Sequence, residues 1–177
     1  MTQPPGTGSL LDQLNDLRRQ VAELSRRGPA FPACRVVLNA AVGLSSGVDN
    51  FAPGSWVVRE DPYGWFTSAT PSYITVGLDG YYLLNYHSDV TGLATTAVAA
   101  SKISLNSNTV ANSLASDVAV PSAAGEGAVL DAFRARVFLS AGTKVYWSNY
   151  ANTAGGTLQA TSFTIPTEMT VQFISSR

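Results

Sequence analysis

Charge is scarce in this chain. Charged side chains make up 13% of its 177 residues, about half of the ~25% that is usual for globular proteins. The 11 basic residues are balanced by 12 acidic ones, for a net charge near −1. A nucleic-acid or anionic-membrane partner requires a basic face. The composition therefore argues against both partners, and solubility must rest on Ser, Thr, Asn and backbone groups.

Residues with reactive side chains are also few, because the sequence holds one cysteine and one histidine. Cys34 cannot form an intrachain disulfide, and one histidine is too few for a zinc site, so Cys34 is expected to be a small buried hydrophobe. His87 is expected to be a hydrogen-bonded strand residue; as a general base it would need a nucleophile and an orienting acid, for which Asp89 is the nearest candidate. Glu60 and Asp61 stand in a turn sequence. The sequence therefore predicts no enzyme, no catalytic residue, no metal ligand and no cofactor.

Long apolar runs are missing. No stretch approaches the ~20 residues that a membrane-spanning helix needs, so no membrane span is expected. The opening "MTQPPGTGS" has neither the charged nor the apolar region of a secretory signal peptide. We therefore expect synthesis and folding in a cytoplasm.

A single charged helix is predicted near the start of the chain. Residues 1–8 are rich in Pro and Gly and predict a disordered leader; residues 9–28 predict the helix and residues 29–32 a linker. Apolar residues recur at heptad spacing along it: Leu10, Leu14, Leu17, Val21 and Leu24. A helix this short is marginal alone in water, so it must either pack on its own domain or associate with copies of itself as a short coiled-coil stalk. The narrow apolar stripe favours the stalk.

The remainder, residues 33–177, predicts one all-β head domain. Short alternating or β-branched runs are separated by turn signals about every ten residues, which favours a sandwich or jelly roll. The richest run, "YITVGLDGYYLLNYHSDV", is broken at Asp79-Gly80, a dipeptide typical of hairpins. The stretch "FRARVFLSAGTKVYWSNY" predicts two strands joined at "SAGT".

The stretch "GYYLLNYHSD", residues 80–89, resembles the signature strand of the complement one-q globular head, a family that shares its jelly roll with tumour necrosis factor (TNF). The segments "DPYGWFTSATPSY", "ISLNSNTVANS", "FRARVFLSAGTKVYWSNY" and "SFTIPTEMTVQFIS" resemble further strands of that family in order, although Leu84 replaces a usual Phe and Ile165-Pro166 replaces Ser-Gly. The resemblance implies a ten-stranded jelly roll that packs as a homotrimer. It places one face of the signature strand in the core and the other near the subunit interface; the residues concerned are Gly80, Tyr81, Tyr82, Leu83, Leu84 and Tyr86.

The predicted trimer gives the short helix a role, because the head would hold three helices at high effective concentration. Size, composition and fold together resemble accessory virion proteins of tailed phages of actinobacteria, such as minor tail, fibre-head or capsid-decoration proteins. We therefore expect a structural and adhesive virion component that is anchored to other virion proteins by its N-terminus and contacts a host glycan or protein with its head. The alternative is a soluble lectin-like module outside a virion.

Two expectations concern sites on the head. Trp56, Trp65 and Trp147 stand beside predicted turns; core packing is the favoured interpretation of each, and the alternative is that they are candidates for surface contact. Some relatives in the resembled family bind calcium at the trimer apex, and the carboxylates that could serve here are Asp79, Asp89, Asp117 and Asp131. Because none stands in a loop with EF-hand spacing, no calcium ligand is assigned.

Overall fold

The computed structural model describes residues 32–69, 72–107, 109, 112–162 and 165–176. The predicted leader 1–8, the helix 9–28 and linker residues 29–31 lie outside the described residues. So do the five seam residues, namely Leu10, Leu14, Leu17, Val21 and Leu24. The stalk therefore stays a prediction.

The described residues form fourteen strands, ten of which have three or more residues. They are β1 (Ala33–Leu38), β2 (Val42–Gly43), β3 (Asp49–Phe51), β4 (Trp56–Glu60), β5 (Tyr73–Thr75), β6 (Gly80–Thr91), β7 (Ala99–Leu105), β8 (Ser113–Ala119), β9 (Ala128–Leu139), β10 (Lys144–Ala151), β11 (Thr157–Leu158), β12 (Thr161–Ser162), β13 (Ile165–Pro166) and β14 (Glu168–Ser175). The all-β prediction is confirmed.

The strands build a sandwich of two antiparallel sheets. A seven-stranded sheet runs β2-β11-β6-β14-β1-β4, with β9 also paired to β6. A five-stranded sheet runs β3-β10-β7-β8, with β5 also paired to β10. The short strands β12 and β13 pair only with each other within the described part of the chain. Neighbours in each sheet are mostly distant in sequence, as in a jelly roll.

The core lies between the sheets and is rich in aromatic side chains. Successive strand residues point to opposite faces, so Tyr82, Leu84 and Tyr86 of β6 are fully buried while the residues between them are partly exposed. Trp147 of β10 faces them from the other sheet and is also fully buried. The Tyr86 hydroxyl donates a hydrogen bond to Asn149 Oδ1, which satisfies a polar group that would otherwise be costly to bury.

Two predicted turns have a different role from the one expected. Asp79-Gly80 does not close a hairpin, because β5 before it belongs to the five-stranded sheet and β6 after it to the seven-stranded sheet. Instead, Asp79 Oδ1 accepts a hydrogen bond of 2.7 Å from the Ala141 amide. The turn at Ala141-Gly142-Thr143 forms where predicted, with φ of 86° at Gly142. It too links strands of different sheets, β9 and β10.

Candidate functional site

The single histidine lies on the outer face of the seven-stranded sheet. His87 Nδ1 lies 2.8 Å from Asp131 Oδ1, because Asp131 of β9 is directly opposite His87 in the register. Asp89, the acid considered from the sequence, is two positions further along the same strand, so their Cα atoms are about 7 Å apart. His87 Nε2 is buried and has no hydrogen-bond partner among the described residues. His87 is therefore paired with Asp131 on the neighbouring strand and not with Asp89.

Cys34 is fully buried in the core, as predicted. Burial raises the pKa of its thiol far above the ordinary value, and the nearby carboxylates of Asp61 and Glu60 raise it further. The thiolate is the nucleophilic form of cysteine. Cys34 therefore stays a neutral thiol at physiological pH and serves the packing of the sandwich.

Two acidic residues are used to build loops. Asp61 accepts hydrogen bonds of 2.8 Å from the Trp65 and Phe66 amides, which agrees with the predicted turn. Glu126 accepts hydrogen bonds from the Ser122 hydroxyl and the Ala123 amide, and these bonds lower the pKa of its carboxyl group. Both carboxylates stabilise local backbone.

The four aspartates considered for calcium do not come together as one group. Asp117 accepts backbone hydrogen bonds from Val118 and Asp131, and Asp79 accepts one from Ala141. Within the described ranges, no three His, Cys, Asp or Glu side chains are grouped so that they could hold a metal ion.

No helix of the described part is long and apolar enough to cross a membrane.

The three tryptophans considered for surface contact lie in the core. Trp56, Trp65 and Trp147 are all buried, with at most 6% of their area exposed. Trp56 and Trp147 have ring centroids 5.2 Å apart in an edge-to-face arrangement, which is a favoured aromatic geometry. Trp65 lies 5.9 Å from the Tyr82 ring. These residues stand beside turns but point inward, so they pack in the core of the sandwich.

Partly exposed aromatic residues lie instead on the outer faces of the two sheets. On the five-stranded sheet they include Tyr73, Tyr146 and Tyr150. Sequence reasoning missed them, although β10 carries a signal: Lys144, Tyr146, Ser148 and Tyr150 alternate with Val145, Trp147, Asn149 and Ala151. Lys144, the charged residue of β10, marks which half of the alternation faces away from the core.

The seven-stranded sheet carries an outer apolar face on β6 and β9. We define it by five residues: Tyr81, Leu83, Val129, Phe133 and Phe138. Phe133 is 52% exposed and Val129 is 50% exposed, while the Tyr81 and Phe138 rings pack edge to face at 5.6 Å. The guanidinium of Arg136 lies 5.2 Å from the centre of the Tyr81 ring.

Polar groups interrupt and border the outer apolar face. His87 and Asp131 pair within it, because Asp131 lies between Val129 and Phe133 on the same side of β9. Arg35 and Glu168 form an ion pair of 2.6 Å on the neighbouring strands. Exposed aromatic residues are enriched in protein–protein interfaces. The expected division of β6 is observed, since Tyr82, Leu84 and Tyr86 face the core while Tyr81 and Leu83 belong to the outer apolar face.

This architecture defines the protein as a TNF-like jelly roll. The chain is similar to a structure of Eiger TNF from S. frugiperda, with a TM-score of 0.56 and 12% identity over 83% of this chain and 94% of that one. It is also similar to murine APRIL at pH 5.0, with a TM-score of 0.57 and 14% identity over 81% of this chain and 99% of that one. No known family description and no curated protein matches the sequence. The likeness at this identity shows the fold, as the resemblance to the complement one-q and TNF jelly roll predicted.

Proposed function

We propose that the protein is a non-enzymatic, adhesive component of a tailed-phage virion and that it assembles as a homotrimer through the outer apolar face. The single observation that carries the trimer is the exposure of Phe133 and Val129 on the sheet that contains β6. Single exposed apolar residues are common, but exposed aromatic residues grouped on one sheet face are typical of an interaction site. The resemblance that predicted the fold also placed this sheet at the subunit interface.

A charge placed in the outer apolar face should separate the subunits. In Phe133→Glu, association would bury a carboxylate without a partner, which is strongly unfavourable. We expect the wild-type protein to have a mass about three times 18.6 kDa by light scattering coupled to size exclusion, and the variant to have the mass of one chain. Circular dichroism should show that the variant keeps its β structure.

The matched control is Val118→Glu. Val118 is 58% exposed, similar to Phe133, but it lies on β8 of the five-stranded sheet. This variant should keep the mass of the wild type. A monomeric wild-type protein at micromolar concentration would contradict the proposed trimer.

The virion role rests on the sequence. The chain combines a predicted N-terminal stalk with a head that is poor in charge and rich in polar loops. This combination suits a protein that is anchored by its N-terminus and exposes its head. We propose that the N-terminal segment binds other virion proteins and that the head contacts the host envelope. The soluble lectin-like module remains the alternative function.

Purified particles of the phage that encodes the chain distinguish these two functions. We expect mass spectrometry to find the protein in the particles after density-gradient purification, and cryo-electron microscopy to show its head pointing outward. An abundant major capsid protein serves as the positive control and a phage replication protein as the negative control. Absence from the particles, or a head buried in the particle with its helix outward, would contradict the virion role.

A further inference from the structure

The outer face of the five-stranded sheet carries a second aromatic surface with a different chemistry. Tyr146 and Tyr150 of β10 point away from the core, and Tyr73 of β5 pairs directly with Tyr146. Two lysines, Lys102 and Lys144, lie among these rings. We call these five residues the tyrosine face.

Contacts within the tyrosine face hold its rings in place. The Tyr73 and Tyr146 ring centroids are 5.2 Å apart, and Lys144 Nζ lies 4.6 Å from the centre of the Tyr73 ring. Lys102 Nζ lies 5.2 Å from the centre of the Tyr150 ring. Ser148, between Tyr146 and Tyr150 on the same side of β10, is only 2% exposed. Ordered rings can bind a ligand without a large loss of side-chain entropy.

The charges of the tyrosine face are unequal. Lys102 is neutralised by Asp49, whose Oδ1 lies 2.7 Å from Lys102 Nζ. Lys144 has no carboxylate within ion-pair distance among the described residues. The face therefore presents one uncompensated cation beside the Tyr73 and Tyr146 rings, on a chain whose net charge is −1. An anionic group on a ligand would complement Lys144.

The polarity of the tyrosine face favours a saccharide over a protein. The described side chains of β5, β7 and β10 include no strongly exposed large hydrophobic residue, although Val118 of the neighbouring strand β8 is 58% exposed. Tyrosine offers an apolar ring together with a hydroxyl that forms hydrogen bonds, which matches the C–H faces and hydroxyl groups of a sugar ring. Tyr146 and Tyr150 are four residues apart on one strand, or about 13 Å, so the face is long enough for more than one sugar ring.

We propose that the tyrosine face binds an anionic saccharide chain. Sugar rings lie against Tyr146 and Tyr150, and a carboxylate or phosphate group of the chain pairs with Lys144. This inference rests on the proposed function, since it assigns the adhesive contact to a surface and to a class of ligand. A trimer that forms through the seven-stranded sheet would keep the five-stranded sheet exposed to solvent. Several copies in one particle would then multiply a weak affinity.

Binding of defined polysaccharides to the full-length protein tests the proposal. The probes are polygalacturonate, which carries carboxylates, phosphorylated dextran, which carries phosphates, and unmodified dextran, which is neutral. We expect affinity electrophoresis to show binding to at least one anionic polymer and weaker binding to unmodified dextran. The two anionic probes distinguish the carboxylate from the phosphate as the group that pairs with Lys144.

Variants of the tyrosine face should weaken this binding. Tyr146→Ala and Lys144→Gln should each reduce the affinity about tenfold or more, as removal of a central binding residue commonly does. The matched controls are Tyr63→Ala, whose tyrosine is 55% exposed on a loop outside the face, and Arg59→Gln on β4 of the other sheet. Both controls should stay within about twofold of the wild type, because they lie outside the proposed site. Lys144→Gln keeps the core intact and remains informative if Tyr146→Ala destabilises the domain.

The outcomes separate this inference from the proposed function. A wild-type protein that is trimeric and present in particles but binds neither anionic polymer would overturn the saccharide proposal alone. Equal binding by the wild type, Tyr146→Ala and Lys144→Gln would also overturn it. A monomer that is absent from particles, yet loses polygalacturonate binding in both variants, would overturn the virion trimer and support the saccharide site.

Discussion

Gly80 shows how one residue can be required by packing rather than by backbone conformation. Its φ is not in the left-handed region. A Cβ at this position would lie 2.4 Å from Cε2 of Phe173 and 2.5 Å from the carbonyl oxygen of Ser175, and both distances are too short for real contacts. Gly80, the first residue of the signature strand, must therefore lack a side chain, because the neighbouring strand β14 lies too close for a Cβ.

The variant Gly80→Ala should destabilise the head. The added methyl group must displace a packed ring and a backbone carbonyl, and such overpacking costs about 1–3 kcal/mol. The free energy of unfolding from urea titration, followed by tryptophan fluorescence, measures the loss. The control is Gly43→Ala, where a Cβ would meet no atom within 4 Å and the change should stay within about 0.5 kcal/mol. Equal stability of the two variants would show that the close approach to β14 is not tight in solution.

At the level of single strands, the sequence predicts which residues face inward but not which strands are neighbours. The alternation along β6 is local, so the buried positions Tyr82, Leu84 and Tyr86 follow from the pattern. The partners of β6 are β9, β11 and β14, which lie far along the chain and are chosen by the complete sandwich. For the same reason Asp79-Gly80 predicted a hairpin, whereas the chain crosses there to the other sheet.

The candidate surfaces were harder to predict because they combine residues from separate strands. The tyrosine face joins Tyr73 of β5 to Tyr146 of β10 and Lys102 of β7, and no sequence motif spans them. The three tryptophans were considered because large aromatic residues are common in binding sites. Residue type alone does not say on which side of a strand a ring lies, and the sandwich encloses all three.

The edge of the seven-stranded sheet is shaped by an irregularity in β9. The pairing of β9 with β6 shifts register between Tyr82 and Leu84, and Arg136 in the shifted segment has a positive φ of 52°. Such a bulge twists an edge strand and discourages pairing with other chains. The Asp131 amide of the same strand is bonded to Asp117 of β8 in the opposite sheet. These features disfavour association through the strand edge, which is consistent with the proposed trimer through the outer apolar face.

At the level of the whole molecule, each of the two outer faces carries one proposed function. The seven-stranded sheet presents Phe133 and Val129 for self-association, while the five-stranded sheet presents ordered tyrosines and Lys144. Because the two sheets face opposite directions, one face can be covered in an assembly while the other stays accessible. This arrangement allows a trimer and a ligand site to exist together in one small domain.

Removal of the N-terminal segment tests whether the head is an independent folding unit. Among the described residues, the buried core extends from Cys34 to Val171, and we expect a chain without residues 1–28 to fold. We expect its circular dichroism to keep the β signal and lose helix, and its mass in light scattering to remain that of a trimer. Its thermal midpoint should be lower than that of the full-length protein, because the predicted seam residues bury apolar area only when the three helices associate.

A pair of full-length variants assigns that loss to the seam. Leu17→Ala should lower the thermal midpoint, because it removes an apolar contact in the predicted seam; a buried Leu→Ala change costs about 2–5 kcal/mol in a core, and less is expected in a short stalk. Gln20→Ala, outside the seam, should leave the midpoint unchanged. A truncated chain that fails to fold would mean that the helix packs on its own domain. Equal midpoints for the truncated and full-length proteins would mean that the helices do not associate, and the N-terminal segment would then act only in attachment to other proteins.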